Sequence, residues 1–140
     1  MSPRGLNIAL GLISLSLGGG IYIIFRENTF IAEIFDGFFL TAVLRRNLAQ
    51  FSSEFIKYYL PDFLWGFSLC CGITALNFTS RKALIFSCLA GFLTGVLWEL
   101  MQYSGVFSGV SDLADVAMYL LASILCIIVN IIFIKESKKQ

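Results

Sequence analysis

An all-α integral membrane protein, a four-helix bundle with both termini in the cytoplasm, is the fold class this sequence predicts, and three observations predict it. The 140 residues are 58% hydrophobic and only 14% charged, with a mean hydropathy of +0.84, where an ordinary soluble domain carries roughly 25% charged residues. Four runs in the chain reach about 20 predominantly apolar residues, the length that crosses a hydrocarbon core. Lys and Arg in the short flanks then fall on one side of those four runs, which orients them.

The first span runs from about Leu6 to Phe25, between Arg4 and the Arg26-Glu27 pair. A cleaved signal peptide is the competing reading. The apolar run exceeds the roughly 7–15 residues of a signal core and no A-x-A site follows, so the segment is expected to stay as a span. The stretch from Arg26 to Tyr59 comes next, and inside it Phe30 to Leu44 is apolar but broken by Glu33 and Asp36. Too short to cross comfortably, it reads as an interfacial or re-entrant helix. The second span opens at Leu60-Pro61-Asp62 and ends near Phe78; the third covers about Ala83 to Tyr103 and the fourth about Asp112 to Ile134. Arg4, Arg81, Lys82, Lys135, Lys138 and Lys139 share one side, whereas the loop from Ser104 to Ser111 has no basic residue. The basic side is assigned to the cytoplasm, and residues 1–140 form a single membrane domain.

Composition also excludes function classes. Ten Lys and Arg against nine Asp and Glu leave a net charge of +1, no electrostatic footprint for nucleic acid. The absence of His removes the usual neutral-pH acid/base group, so zinc-hydrolase and serine-triad chemistry are set aside. Cys70, Cys71, Cys88 and Cys126 all fall inside spans, where they act as small apolar packers. Their spacing makes neither a disulfide framework nor a metal site, and no cofactor is expected.

In lipid, helices associate through small residues and interhelical hydrogen bonds, so each span should carry one such stripe. At about 100° per residue, Asn7, Gly11, Ser14, Gly18 and Tyr22 share a side of span one. Cys88, Gly91, Gly95, Glu99 and Gln102 do so in span three, and Asp112, Asp115, Tyr119, Ala122, Cys126 and Asn130 in span four. Span two offers Asp62, Gly66, Leu69, Ile73 and Asn77, a stripe whose middle is apolar. Three clear interior stripes and a partial one suit a four-helix bundle.

The acids on those stripes cluster by depth. Asp62, Glu99, Gln102, Asp112 and Asp115 converge at the outer end beneath a segment carrying Arg45 and Arg46, and an intramembrane ionisable residue marks a candidate functional site. Plainer readings stand beside that one. Asp62 after Pro61 suits a helix start, Asp112 with Asp115 resembles a capping box, and Arg45 and Arg46 suit contact with lipid phosphates. Glu99 lies on the glycine stripe instead of at a cap, which points to a buried hydrogen-bond network or a ligand site.

With these residues laid out, the stretch from about 60 to 125 resembles the VanZ-like family of small bacterial membrane proteins. The resemblance rests on Leu60-Pro61-Asp62-Phe63-Leu64-Trp65, then Glu99-Leu100-Met101-Gln102, then Gly109-Val110-Ser111-Asp112-Leu113-Ala114-Asp115. Tyr119 and Ala122 stand where the family often has Asn and Gly, and a common His is missing, as in a divergent branch. The resemblance implies a multi-pass cell-envelope protein of the bacterial cytoplasmic membrane, with a link to resistance against teicoplanin-type glycopeptides.

The first functional expectation is a non-catalytic binding or accessory protein. Its outer-facing acidic pocket, with Asp62, Trp65, Glu99, Gln102, Asp112, Asp115, Arg45 and Arg46 as ligand-binding residues, would engage membrane lipids, a lipid-linked envelope precursor or an amphipathic antibiotic. The alternative is a membrane enzyme acting on a lipid-linked phosphate or glycosidic substrate. There Arg45 and Arg46 would hold phosphate while two of Glu99, Asp112 and Asp115 do acid/base work. A channel is disfavoured, because polarity fades between the outer acids and Asn7, Asn77 and Asn130 at the inner end.

Overall fold

The computed structural model describes residues 2–25, 43, 46–48, 53–77, 80–107 and 110–137. Among the described residues the chain is helical without strands. The main elements are α1 (Pro3–Phe25), α2 (Leu60–Asn77), α3 (Arg81–Tyr103) and α4 (Leu113–Ser137). All four are long and apolar enough to cross a membrane, with mean window hydropathies from 1.2 in the second to 2.7 in the fourth. Burial inverts the pattern of a soluble protein. Leu12, Leu76, Phe86 and Leu97 face outwards, while Asn7, Ser14, Thr74, Ser87, Glu99, Ser123 and Asn130 are buried. Hydrocarbon accepts the leucines and only other helices can satisfy the polar groups. The chain is a multi-pass membrane protein. The expected interfacial segment Phe30 to Leu44, apart from Val43, lies outside the described residues.

The second span does not begin at the proline. A π-helical turn, Phe55–Tyr59, runs straight into α2, and the Leu60 N–H donates to the Phe55 carbonyl. Pro61 has no N–H to give and its ring would clash with the carbonyl of Lys57 in a regular α-helix; the wider turn accommodates both facts. Asp62 therefore sits inside a continuous helix, and the expectation that it caps a helix start is corrected.

α2 is the central helix. It packs along α1 on one side and against α3 and α4 on the other, whereas α1 and α4 meet at few points. Phe67, Cys70 and Cys71 of α2 close on Leu84 and Cys88 of α3 and on Ala122 and Cys126 of α4. Small residues permit that approach. A methyl on Gly91 would lie 2.5 Å from Cys70 Sγ and 3.3 Å from its Cα, and one on Gly11 would lie 3.4 Å from Cys71 Cβ. The four cysteines are buried and unbridged, with Cys71 Sγ 3.8 Å from Cys126 Sγ.

The stripes of three helices face inwards as expected. Asn7, Gly11, Ser14 and Gly18 are buried on α1, Cys88, Gly91, Gly95 and Glu99 on α3, and Tyr119, Ala122, Cys126 and Asn130 on α4. The stripe proposed for α2 is corrected. Of its members only Gly66 is buried; Leu69 and Asn77 are exposed, and burial falls instead on Pro61, Gly66, Phe67, Cys70, Cys71, Thr74 and Ala75. The buried residues from Gly66 to Ala75 share one broad face of about half the helix, turned roughly 100° from the proposed stripe; packed by three helices, that face takes Phe67 as well as small residues.

Asn7 and Asn130 lock the end of the bundle that carries both termini. Asn7 Nδ2 donates to Asn130 Oδ1 at 2.7 Å and Asn130 Nδ2 donates back to Asn7 Oδ1 at 3.0 Å. Further bonds run from Asn7 Nδ2 to the Pro3 carbonyl and from Asn130 Nδ2 to the Cys126 carbonyl. Both amides are at most 1% exposed. Asn77 at the same end takes no part, its amide bonding the Ile73 carbonyl of its own helix.

Candidate functional site

At the opposite end a groove of about 230 Å³ opens between α2 and α3. Asp62, Trp65 and Leu69 form one wall and Gly91, Thr94, Gly95 and Trp98 the other, with Tyr119 of α4 closing the bottom. Leu69 and Trp98 are exposed at the rim, so the groove faces the surrounding hydrocarbon. The Thr94 hydroxyl bonds to the Ala90 carbonyl one turn back. The polar functions at the head of the groove are thus Asp62 and Tyr119.

Tyr119 is the residue around which this end is built. Its ring is wedged between two glycines: a methyl on Gly95 would come within 2.5 Å of the ring, and one on Gly66 within 2.9 Å. The buried phenol donates a long hydrogen bond, 3.3 Å, to Asp62 Oδ1. Asp62, Glu99 and Asp115 all stand close enough to act electrostatically on that phenol. These three acids stand around a tyrosine that the spacing places on the α4 stripe and that is not among the expected ligand-binding residues. Two glycines and one aromatic at matching depth on three stripes are the signal that identifies it.

The other candidates divide between the groove and the loop. Glu99, 4% exposed, accepts the Asp112 backbone N–H on Oε2 at 3.1 Å. Asp112 Oδ1 in turn accepts the Ala114 N–H at 2.9 Å, capping α4. Asp112 thus caps α4, but the expected capping box with Asp115 is not formed, because the Asp112 N–H goes to Glu99, which ties the α3–α4 connection down from below. Asp115 and Gln102 are half-buried and do not line the groove. Trp65 lines it while turning its indole N–H towards α1. A methyl on Gly18 would lie 2.8 Å from Nε1, Tyr22 packs on the ring at a centroid distance of 5.2 Å, and Nε1 is buried without a hydrogen-bond partner. Arg45 lies outside the described residues. Arg46 is exposed and forms no ion pair among the described residues, so the expected arginine roof over the acids is not seen at Arg46. No cluster of Cys, Asp or Glu among the described residues is arranged to hold a metal ion.

No family model, no curated protein and no solved structure matches the chain.

Proposed function

We propose that the chain is a non-catalytic membrane binding protein whose groove takes an amphipathic ligand. The apolar tail lies between Leu69, Gly91 and Trp98, and a head bearing amine or hydroxyl donors meets Asp62 and Tyr119. One observation carries this reading: a carboxylate–phenol pair stands at the head of a groove that is otherwise apolar and open to lipid. A lipid-linked envelope precursor and an acylated glycopeptide antibiotic both combine such a tail with such donors. The VanZ-like resemblance belongs to the same reading, with the groove in the outer leaflet of a bacterial cytoplasmic membrane and both termini in the cytoplasm.

Reconstituted protein titrated with a fluorescent polyprenyl-linked disaccharide and with an acylated glycopeptide tests it. Tyr119→Phe removes one neutral hydrogen bond and should weaken binding about fivefold, and Asp62→Asn, which removes a charged acceptor, about tenfold or more. Unchanged affinity for both probes in both folded variants refutes the reading. Orientation is tested by impermeant thiol labelling in intact cells, with the native thiols silent because each is at most 1% exposed. Ser104→Cys should label and Ser80→Cys should not; the reverse pattern overturns the outer placement.

A further inference from the structure

A second recess lies at the terminal end, between the last turns of α2 and the first turns of α3. It is a cleft of about 340 Å³ lined by Ile73, Asn77, Ala83, Phe86, Ser87 and Ala90. Phe86, 69% exposed, marks it as facing lipid, and the two alanines leave the space. Ser87 stands apart from these apolar walls. A serine or threonine inside a spanning helix ordinarily satisfies its hydroxyl on the carbonyl one turn back, as Ser123 does on Tyr119 and Thr94 on Ala90. Ser87 is 4% exposed, makes no such bond and lines the cleft. A hydroxyl that opens onto an apolar cleft in hydrocarbon calls for an acceptor in the space it faces.

The mouth of the cleft is cationic. Lys82 is exposed and lies one turn before Phe86 on the same face of α3,. Ser80 Oγ accepts the Ala83 N–H, which leaves the first N–H groups of a 23-residue helix pointing out of its positive end,. The framing turns, residues 70–77 and 80–90, carry no Asp or Glu. Lys82 and Ser87 are five residues apart, roughly 7.5 Å along the axis. A phosphate and, deeper, an ester carbonyl present acceptors in that order along a glycerophospholipid.

We propose that this cleft binds an anionic phospholipid. Its phosphate sits at Lys82 and the α3 N-terminus, an ester carbonyl accepts the Ser87 hydroxyl, and an acyl chain runs along Ile73, Phe86 and Ala90. The apolar walls and the deep hydroxyl select a lipid over free phosphate. The site is at the other end of the bundle from the ligand groove and stands independently of it.

Lipid retention measured by native mass spectrometry tests the site, after exchange into nanodiscs of phosphatidylglycerol and phosphatidylcholine. Wild type should retain phosphatidylglycerol in preference. Lys82→Ala should cut that retention about fivefold, the effect of one surface cation. Arg81→Ala, on the opposite side of α3, should change it less than twofold, and Ser87→Leu, which fills the cleft, should remove retained lipid of either headgroup. Equal retention of the two lipids, equal effects of Lys82→Ala and Arg81→Ala, or displacement by millimolar inorganic phosphate each overturns the proposal. Lys82 is exposed, so its variant decides the matter even if Ser87→Leu fails to fold.

Discussion

The two ends of this bundle solve the same problem differently. Where the termini meet, two asparagines from α1 and α4 satisfy each other reciprocally and close the seam between those two helices. Where α3 turns into α4, one long hydrogen bond joins Tyr119 to Asp62, two glycines leave a groove beside it, and the acids Glu99 and Asp112 hold the loop. A symmetric amide pair completes itself and leaves no capacity for a ligand. The phenol–carboxylate pair, joined by one long bond, lines the open groove instead. The difference separates a polar pair that is spent on holding α1 to α4 from a polar pair that borders an open groove.

The largest effect expected is at the tyrosine wedge. Gly95→Ala places a methyl 2.5 Å from a ring already confined by Gly66, so the helices or the ring must move, at a cost of about 2–3 kcal/mol. Unfolding in a detergent titration reads this. In a double-mutant cycle, Tyr119→Leu should recover most of the loss, because the two sites are in contact. Additive losses would mean that the glycine serves some purpose other than seating the ring, and the contrast between the two ends would lose its basis.

At the terminal end, Asn7→Leu leaves Asn130 buried with its reciprocal partner gone. The expected loss is about 1.5 kcal/mol, between the cost of an orphaned amide in water-soluble proteins and the smaller values typical of membrane helices. Asn7→Leu combined with Asn130→Leu should cost less than the sum of the single changes. Ligand binding in the groove should be unaffected by either. A loss of binding at the far end would show that the two ends are coupled.

How much of this was legible beforehand differs by helix, for a physical reason. α1, α3 and α4 each bury one side, and in lipid that side must hold the small and polar residues, so Asn7, Gly95, Glu99 and Asn130 could be placed from spacing alone. On α2 residue type does not mark the buried half: Gly66, Phe67, Cys70, Cys71, Thr74 and Ala75 share one broad face that mixes large, small and polar side chains, and the exposed face holds Gly72 beside Leu69 and Leu76. The groove was half-readable: Asp62, Gly66, Leu69, Gly91, Gly95 and Tyr119 lie on the expected stripes, but Thr94 and Trp98 of its open wall are residues that a stripe argument assigns to lipid. Pro61 misled in another way, since proline marks a helix start in most sequences and here follows a π-turn that lets the helix pass through it.

A smaller effect is expected at Glu99. Gln in its place keeps an oxygen for the Asp112 N–H, so Glu99→Gln should change stability by less than about 0.5 kcal/mol at pH 7, while Glu99→Leu should cost about 1 kcal/mol by orphaning that N–H. The pair of variants separates two kinds of loop anchor. A loss of several kcal/mol for Glu99→Gln would identify the side chain as an anion held against a cation, since removing one member of a buried pair strands the other.

The smallest effect expected is at Gly19 and Gly20, and its smallness is what makes it informative. Both sit in the last turns of α1, one and two residues after Gly18, where a methyl would strike the Trp65 ring at 2.7 Å; a methyl on either of the two meets nothing within 4 Å among the described residues. Alanine is the better helix former by up to about 1 kcal/mol in water. The gain shrinks in hydrocarbon, where the backbone has no solvent to bond with. Gly19→Ala and Gly20→Ala should therefore leave the unfolding midpoint unchanged or slightly raised, while Gly18→Ala lowers it. The three variants test whether α1 meets the rest of the bundle only along the line of Asn7, Gly11, Ser14 and Gly18. Destabilisation by Gly20→Ala comparable to that by Gly18→Ala would require a surface against that open side of α1, from the chain between α1 and α2 or from a second copy. A crosslinking experiment from Gly20→Cys would then tell the two apart.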